Sequence, residues 1–130
     1  MSAKQLFEYA VVRVVPQVER EEFINVGVIL YCATERYLQI RYNIDEDRIK
    51  AFSAKVSIDE VLAILGAFES ICKGGVDAGP IGAYSTAERF RWLTASRSTV
   101  VQTSCVHPGL CDNAERKLQK LYEEMVLSWL

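Results

Sequence analysis

Two stretches decide how this chain folds: Leu6-Phe7-Glu8-Tyr9-Ala10-Val11-Val12-Arg13-Val14-Val15 and Asn25-Val26-Gly27-Val28-Ile29-Leu30-Tyr31-Cys32. The first is rich in Val, Tyr and Phe and stops at Pro16, the composition and punctuation of a strand. Phe7, Tyr9, Val11 and Arg13 fall on one face of it, and Glu8, Ala10, Val12 and Val14 on the other. The second is nearly all apolar and carries Gly27 inside it, which predicts a bulge or a close backbone approach. Residues 37–43 alternate Leu38, Ile40 and Tyr42 against Gln39 and Arg41. The short connection at 33–36 makes the second and third strands a hairpin, and an antiparallel meander is the economical arrangement.

Beyond residue 44 the period changes. Residues 45–52 read as a short helical turn. Ser57-Ile58-Asp59-Glu60 is a capping box, and Ile58, Val61, Leu62, Leu65, Phe68 and Cys72 follow at helical spacing until Gly74-Gly75 stops the helix. Residues 77–84 read as a loop. Ser85-Thr86-Ala87-Glu88 opens a short helix through Leu93. Residues 98–105 alternate as a fourth strand, and His107-Pro108-Gly109 reads as a turn. Asp112-Asn113-Ala114-Glu115 caps a terminal helix whose apolar stripe is Leu118, Leu121, Tyr122, Met125 and Trp129. Strands first and helices after, without βαβ alternation, predict an α+β fold: an antiparallel sheet of about four strands with helices packed on one face, including the C-terminal amphipathic helix. No linker divides the chain, so residues 1–130 are expected to form a single domain.

Composition narrows the function classes. At 130 residues the chain can bury about two-thirds of its extended surface, enough for a core without staples. A net charge of −2 and a pI near 5.5 argue against a nucleic-acid coat or a polybasic membrane binder. Tyr84, Phe90 and Trp92 stand beside Arg89, Arg91 and Arg97 and could stack bases, but the overall acidity makes nucleic acid an unexpected partner. The N-terminal apolar run is broken by Glu8 and Arg13, so no signal peptide is expected, and no run is long enough to span a membrane. A cytoplasmic location follows, with Cys32, Cys72, Cys105 and Cys111 as reduced thiols. Cys105, His107 and Cys111 lack the second paired knuckle that zinc usually requires, and neither a metal nor a cofactor is expected.

Chemistry concentrates in residues 94–111, which hold six hydroxyl side chains, Arg97, the single histidine His107, and no acid. With Arg89 just before them, Arg97, Ser98, Thr99, Gln102 and His107 are donors suited to an anion, while a polar edge strand explains the same composition without a ligand. Cys105 and His107 form a thiol–imidazole pair only if their side chains meet, which spacing does not decide. A second cluster holds Arg13, Glu19, Arg20, Glu22 and Asn25. Arg13 stands between apolar neighbours, so its guanidinium is expected at a cleft edge, or in a structural ion pair with Glu19 or Glu22. Neither GxxxxGK[ST] nor GxGxxG occurs.

The blocks Tyr9-Ala10-Val11-Val12-Arg13-Val14-Val15-Pro16, residues 19–32, Arg89-Phe90-Arg91-Trp92-Leu93 and residues 97–104, with Val106-His107 and Gly109-Leu110 after them, resemble the bacterial domain of unknown function 3037 family. The resemblance covers nearly the whole chain. It carries no activity, cofactor or catalytic residue with it. It does imply a kinase-associated accessory role, with a kinase similar to the HipA class as partner. The reading is therefore a non-enzymatic accessory or binding module for a protein partner or an anionic ligand. The competing reading is a small phosphoester-directed enzyme, a hydrolase or nuclease, with His107 as acid–base and Arg97 stabilising charge. The apolar last turn, residues 126–130, suggests a further role in homo-oligomer contacts through the C-terminal helix.

Overall fold

The computed structural model describes residues 4–127. Strand β1 (Gln5–Val14) is central: β2 (Ile24–Cys32) pairs antiparallel along one side of it, and β3 (Tyr37–Tyr42) pairs with β2 as the outer strand. On its other side β1 is met by two short strands in tandem, β4 (Val101–Thr103) opposite Val12–Val14 and β5 (His107–Cys111) opposite Gln5–Tyr9. The fold is α+β around an antiparallel sheet, as the strand and helix patterns predict.

Two local devices shape this sheet. The register of β1 with β2 slips by one residue between Val12 and Arg13 of β1, leaving Val26 of β2 as the extra residue of a bulge. Gly27 follows it because β3 crowds that position: a Cβ there would lie 2.8 Å from the Arg41 carbonyl oxygen and 2.8 Å from Tyr42 Cβ. On the other side, residues 104–106 interrupt the edge. The Ser104 hydroxyl accepts the Val11 N–H at 2.8 Å and donates to the Cys105 carbonyl at 2.9 Å, while Ser104 N–H donates to Val11 O. A side chain thus supplies a rung that the ladder would otherwise lose.

His107–Cys111 is a strand and not the turn that Pro108-Gly109 predicts. Pro108 is tolerated because β5 lies at the sheet edge, where one side of the strand needs no donor. Gly109 is there because the Phe7 ring lies over it, 2.7 Å from where a Cβ would sit. The fourth strand is correspondingly shorter than expected, Val101–Thr103.

The helices divide between the two faces. Helices α1 (Glu46–Phe52), α2 (Ile58–Lys73) and α3 (Thr86–Leu93) cover one face, where Val12, Val14, Ile29 and Leu38 meet Ile49, Leu65, Phe68, Phe90 and Leu93. Helix α4 (Ala114–Tyr122), extended by one π turn (Glu123–Leu127), packs on the opposite face, where Val28, Leu30 and Cys32 meet Leu118, Leu121 and Val126. Placing every helix on one face therefore holds for α1–α3 and not for α4, because β2 is apolar on both sides and needs a cover on each. Trp129 and the last turn lie outside the described residues. Among the described residues, no helix is long and apolar enough to cross a membrane.

Two caps fall where the sequence puts them: Ser57 and Ser85 accept the N–H groups of Glu60 and Glu88. The third lies one residue beyond the start of the Asp112–Glu115 box, with Asn113 accepting the Arg116 N–H. Residues 77–84, read as a loop, lie mostly within 3-10 turns (Val76–Ala83).

Candidate functional site

Helix α4 lies over β2 and β3, and the β1–β5 side of the same face carries a polar strip. Cross-strand partners share a face, so the pairs Arg13–Asn25 and Arg13–Gln102 set three polar residues in a row across β2, β1 and β4. Tyr9 pairs with His107, and their rings lie 5.3 Å apart between centroids. Cys105, exposed in the interruption between β4 and β5, brings its Sγ to 3.7 Å from His107 Nε2. The sulfur is also within electrostatic reach of Arg13.

Arg13 is unusual among the arginines of the chain. Its guanidinium stacks on the Phe23 ring at 3.8 Å, and its buried Nε has no hydrogen-bond partner among the described residues. Burial pushes the guanidinium below its ordinary value, with the Cys105 sulfur acting the other way. The neighbouring Asn25 donates its amide to Met125 O at 3.3 Å, which leaves its buried Oδ1 without a donor. The expected Arg13 pair with Glu19 or Glu22 is not among the ion pairs of the described residues: Glu22 closes on Arg20, and Arg13 turns to Phe23.

The other expected donors are placed differently. Arg89 is a clamp: Nη1 donates to Ile71 O at 2.6 Å and Cys72 O at 2.8 Å, and Nε donates to Tyr84 O at 3.1 Å. It meets the orphan carbonyls at the end of α2 and ties them to the 3-10 segment. Arg97 does the same for α3, donating to Trp92 O at 2.6 Å, with its guanidinium 4.9 Å from the Trp92 ring centroid and 5.2 Å from that of Phe68. Burial pushes the Arg97 guanidinium down. Arg91 is held by Glu8 through two bonds, at 2.6 and 3.0 Å. Thr99 Oγ1 donates to Val101 O at 2.8 Å and Gln102 Nε2 to Thr99 O at 3.0 Å, so part of the hydroxyl-rich stretch shapes the entry to β4. Ser98 is exposed.

Arg13, Gln102 and His107 thus share one face of the sheet, whereas Arg97 packs on Phe68 in the core of the other. Sequence reasoning singled out Arg13 and Asn25 but could not see that both are left without partners. It could not see Tyr9 against His107 either, because β5 did not read as a strand. Among the described residues no three His, Cys, Asp or Glu side chains gather as a metal site would require.

No curated protein and no solved structure matches this chain. A family model described as a protein of unknown function, DUF3037, matches residues 9–126. That span takes in the central strand from Tyr9, the polar strip and α4, and on it the chain belongs to the DUF3037 family.

Proposed function

We propose that this domain is a non-enzymatic binding module that docks a segment of a protein partner on the polar strip beside α4. One observation carries the reading. Arg13 Nε and Asn25 Oδ1, a donor and an acceptor on paired strands, are both buried without hydrogen-bond partners among the described residues. Unmet buried polar atoms of this kind cost about 1–3 kcal/mol each. A donor beside an acceptor complements a peptide group, which would meet Arg13 through its carbonyl and Asn25 through its N–H once the Phe23 ring stacked on Arg13 moves aside. An acidic side chain next to that group would add a charge-assisted bond to the Arg13 guanidinium. The kinase similar to the HipA class that the family resemblance implies is the first protein partner to try.

The placement of Arg97 and His107 on opposite faces of the sheet favours this reading over a phosphoester-directed enzyme built on the two. Arg89 and Arg97, engaged with backbone carbonyls, are assigned to scaffold and not to ligand.

The test is a selection of displayed random peptides on the wild type, followed by affinity measurement on variants. Selected peptides are expected to bind Arg13→Gln and Asn25→Leu at least tenfold more weakly, and to bind Gln17→Ala unchanged. Peptides that bind all of these equally overturn the proposal. So does stabilisation by phosphate or citrate with no peptide selected, which would make the strip a small-anion site.

A further inference from the structure

We infer that Cys105 is a thiol-exchange site that forms a mixed disulfide with a small disulfide, using His107 as the proton carrier. This goes beyond partner docking and does not depend on it.

The cluster has the required parts. Cys105 is exposed, whereas Cys32, Cys72 and Cys111 are buried. His107 Nε2 lies 3.7 Å from the sulfur, within range of a hydrogen bond to sulfur. The Tyr9 ring packs against the imidazole, with 5.3 Å between the ring centroids. Arg13, on the neighbouring strand, places a cation within electrostatic reach of the sulfur. Burial raises the Cys72 thiol to about 12 and also raises Cys111, which leaves those two poor nucleophiles.

The geometry also selects the reaction. Among the ion pairs and hydrogen bonds of the described residues, no carboxylate engages His107. Acyl transfer would call for such an orienting group and for an oxyanion hole. Thiol–disulfide exchange needs less: a thiolate, in-line access to a sulfur, and a proton for the departing thiolate. In the proposed step the Cys105 proton passes to His107, and Sγ forms a bond to one sulfur of R–S–S–R as the S–S bond breaks. The departing RS⁻ takes the proton from His107. The products are Cys105–S–S–R and RSH. One disulfide is exchanged for another: the Cys105 sulfur is oxidised to the disulfide level as the departing sulfur is reduced to the thiol, and no other oxidant is consumed.

The experiment is incubation of the reduced protein with oxidised glutathione, followed by intact mass and peptide mapping under non-reducing conditions. One glutathionyl group per chain is expected, on Cys105, and none on Cys105→Ser. His107→Asn should form the adduct at least tenfold more slowly, with an unchanged thermal midpoint showing that its fold is intact. A Tyr9→Leu variant provides a second reading of the same pair, with slowing expected as the imidazole loses its packing partner. Absence of the adduct, adducts on the buried cysteines, or equal rates for wild type and His107→Asn would each overturn the inference. None of these outcomes bears on peptide binding at Arg13 and Asn25.

Discussion

Replacing Arg89 by alanine should expose how much of this fold hangs on one guanidinium. Arg89 donates to Ile71 O, Cys72 O and Tyr84 O at 2.6, 2.8 and 3.1 Å, joining the end of α2 to the 3-10 segment and the start of α3. Hydrogen bonds from charged donors contribute about 1.5–3 kcal/mol each when buried. The two bonds to α2 are part-buried and the one to Tyr84 is exposed, all three share one side chain, and water can reach carbonyls released at a helix end. A total of about 3 kcal/mol is therefore reasonable for the three. Unfolding entropy of about 2.1 cal/mol/K per residue puts 1 kcal/mol at about 3.7 °C for a chain of this length, so the thermal midpoint should fall by about 11 °C. Arg89→Lys keeps the charge at the helix terminus but not the fork. It should recover only the dipole part, about 0.3–1 kcal/mol. Calorimetry or circular dichroism melting of both variants reads this directly. A drop below about 3 °C for Arg89→Ala would refute the clamp and return Arg89 to the pool of ligand-binding candidates.

Three further expectations follow from the same geometry. Ser104→Ala removes the hydroxyl that accepts the buried Val11 N–H, and should cost about 1–3 kcal/mol in urea unfolding, with faster hydrogen exchange at Val11. Gly27→Ala puts a Cβ 2.8 Å from the Arg41 carbonyl and should destabilise by about 1–3 kcal/mol through forced separation of β2 and β3, which an unchanged midpoint would contradict. Glu115 is held below the usual carboxylate range, first by the Tyr37 hydroxyl and then by Arg41. A depressed carboxyl stabilises above its unfolded value and loses that contribution as pH falls through the folded one. The stability gap between wild type and Glu115→Gln should therefore be present at neutral pH and close below about pH 4. A gap independent of pH would rule out the carboxylate as its source.

The placement of α4 shows where local reading ends. The caps at Ser57 and Ser85, and that of α4 to within one residue, were legible with the apolar stripes behind them because helix starts depend on neighbours three or four residues away. The face of β1 bearing Phe7, Tyr9, Val11 and Arg13 was legible for the same reason: alternation is a property of the strand itself. Even the second helical layer had a trace in the sequence, since a strand as apolar as β2 is covered on both sides.

By itself, then, the sequence determined the α+β class, the meander of β1 to β3, the starts of α2 and α3 and the family. Each of these follows from periodicity, turn chemistry or a matching block of residues. Tertiary structure decided the rest. Pro108-Gly109 became a strand only because the edge of β1 was free and Phe7 covered the glycine. Arg89 became scaffold because the end of α2, 18 residues back, presented unpaired carbonyls, and Arg97 because Phe68 of α2 packs against it beside the end of α3. Arg13, Asn25, Cys105 and His107 came together because a one-residue slip in β2 and the break after Thr103 set them on the face that α4 shares. Such meetings depend on register across strands, and register is fixed by the packing of the whole sheet, which no window of sequence contains.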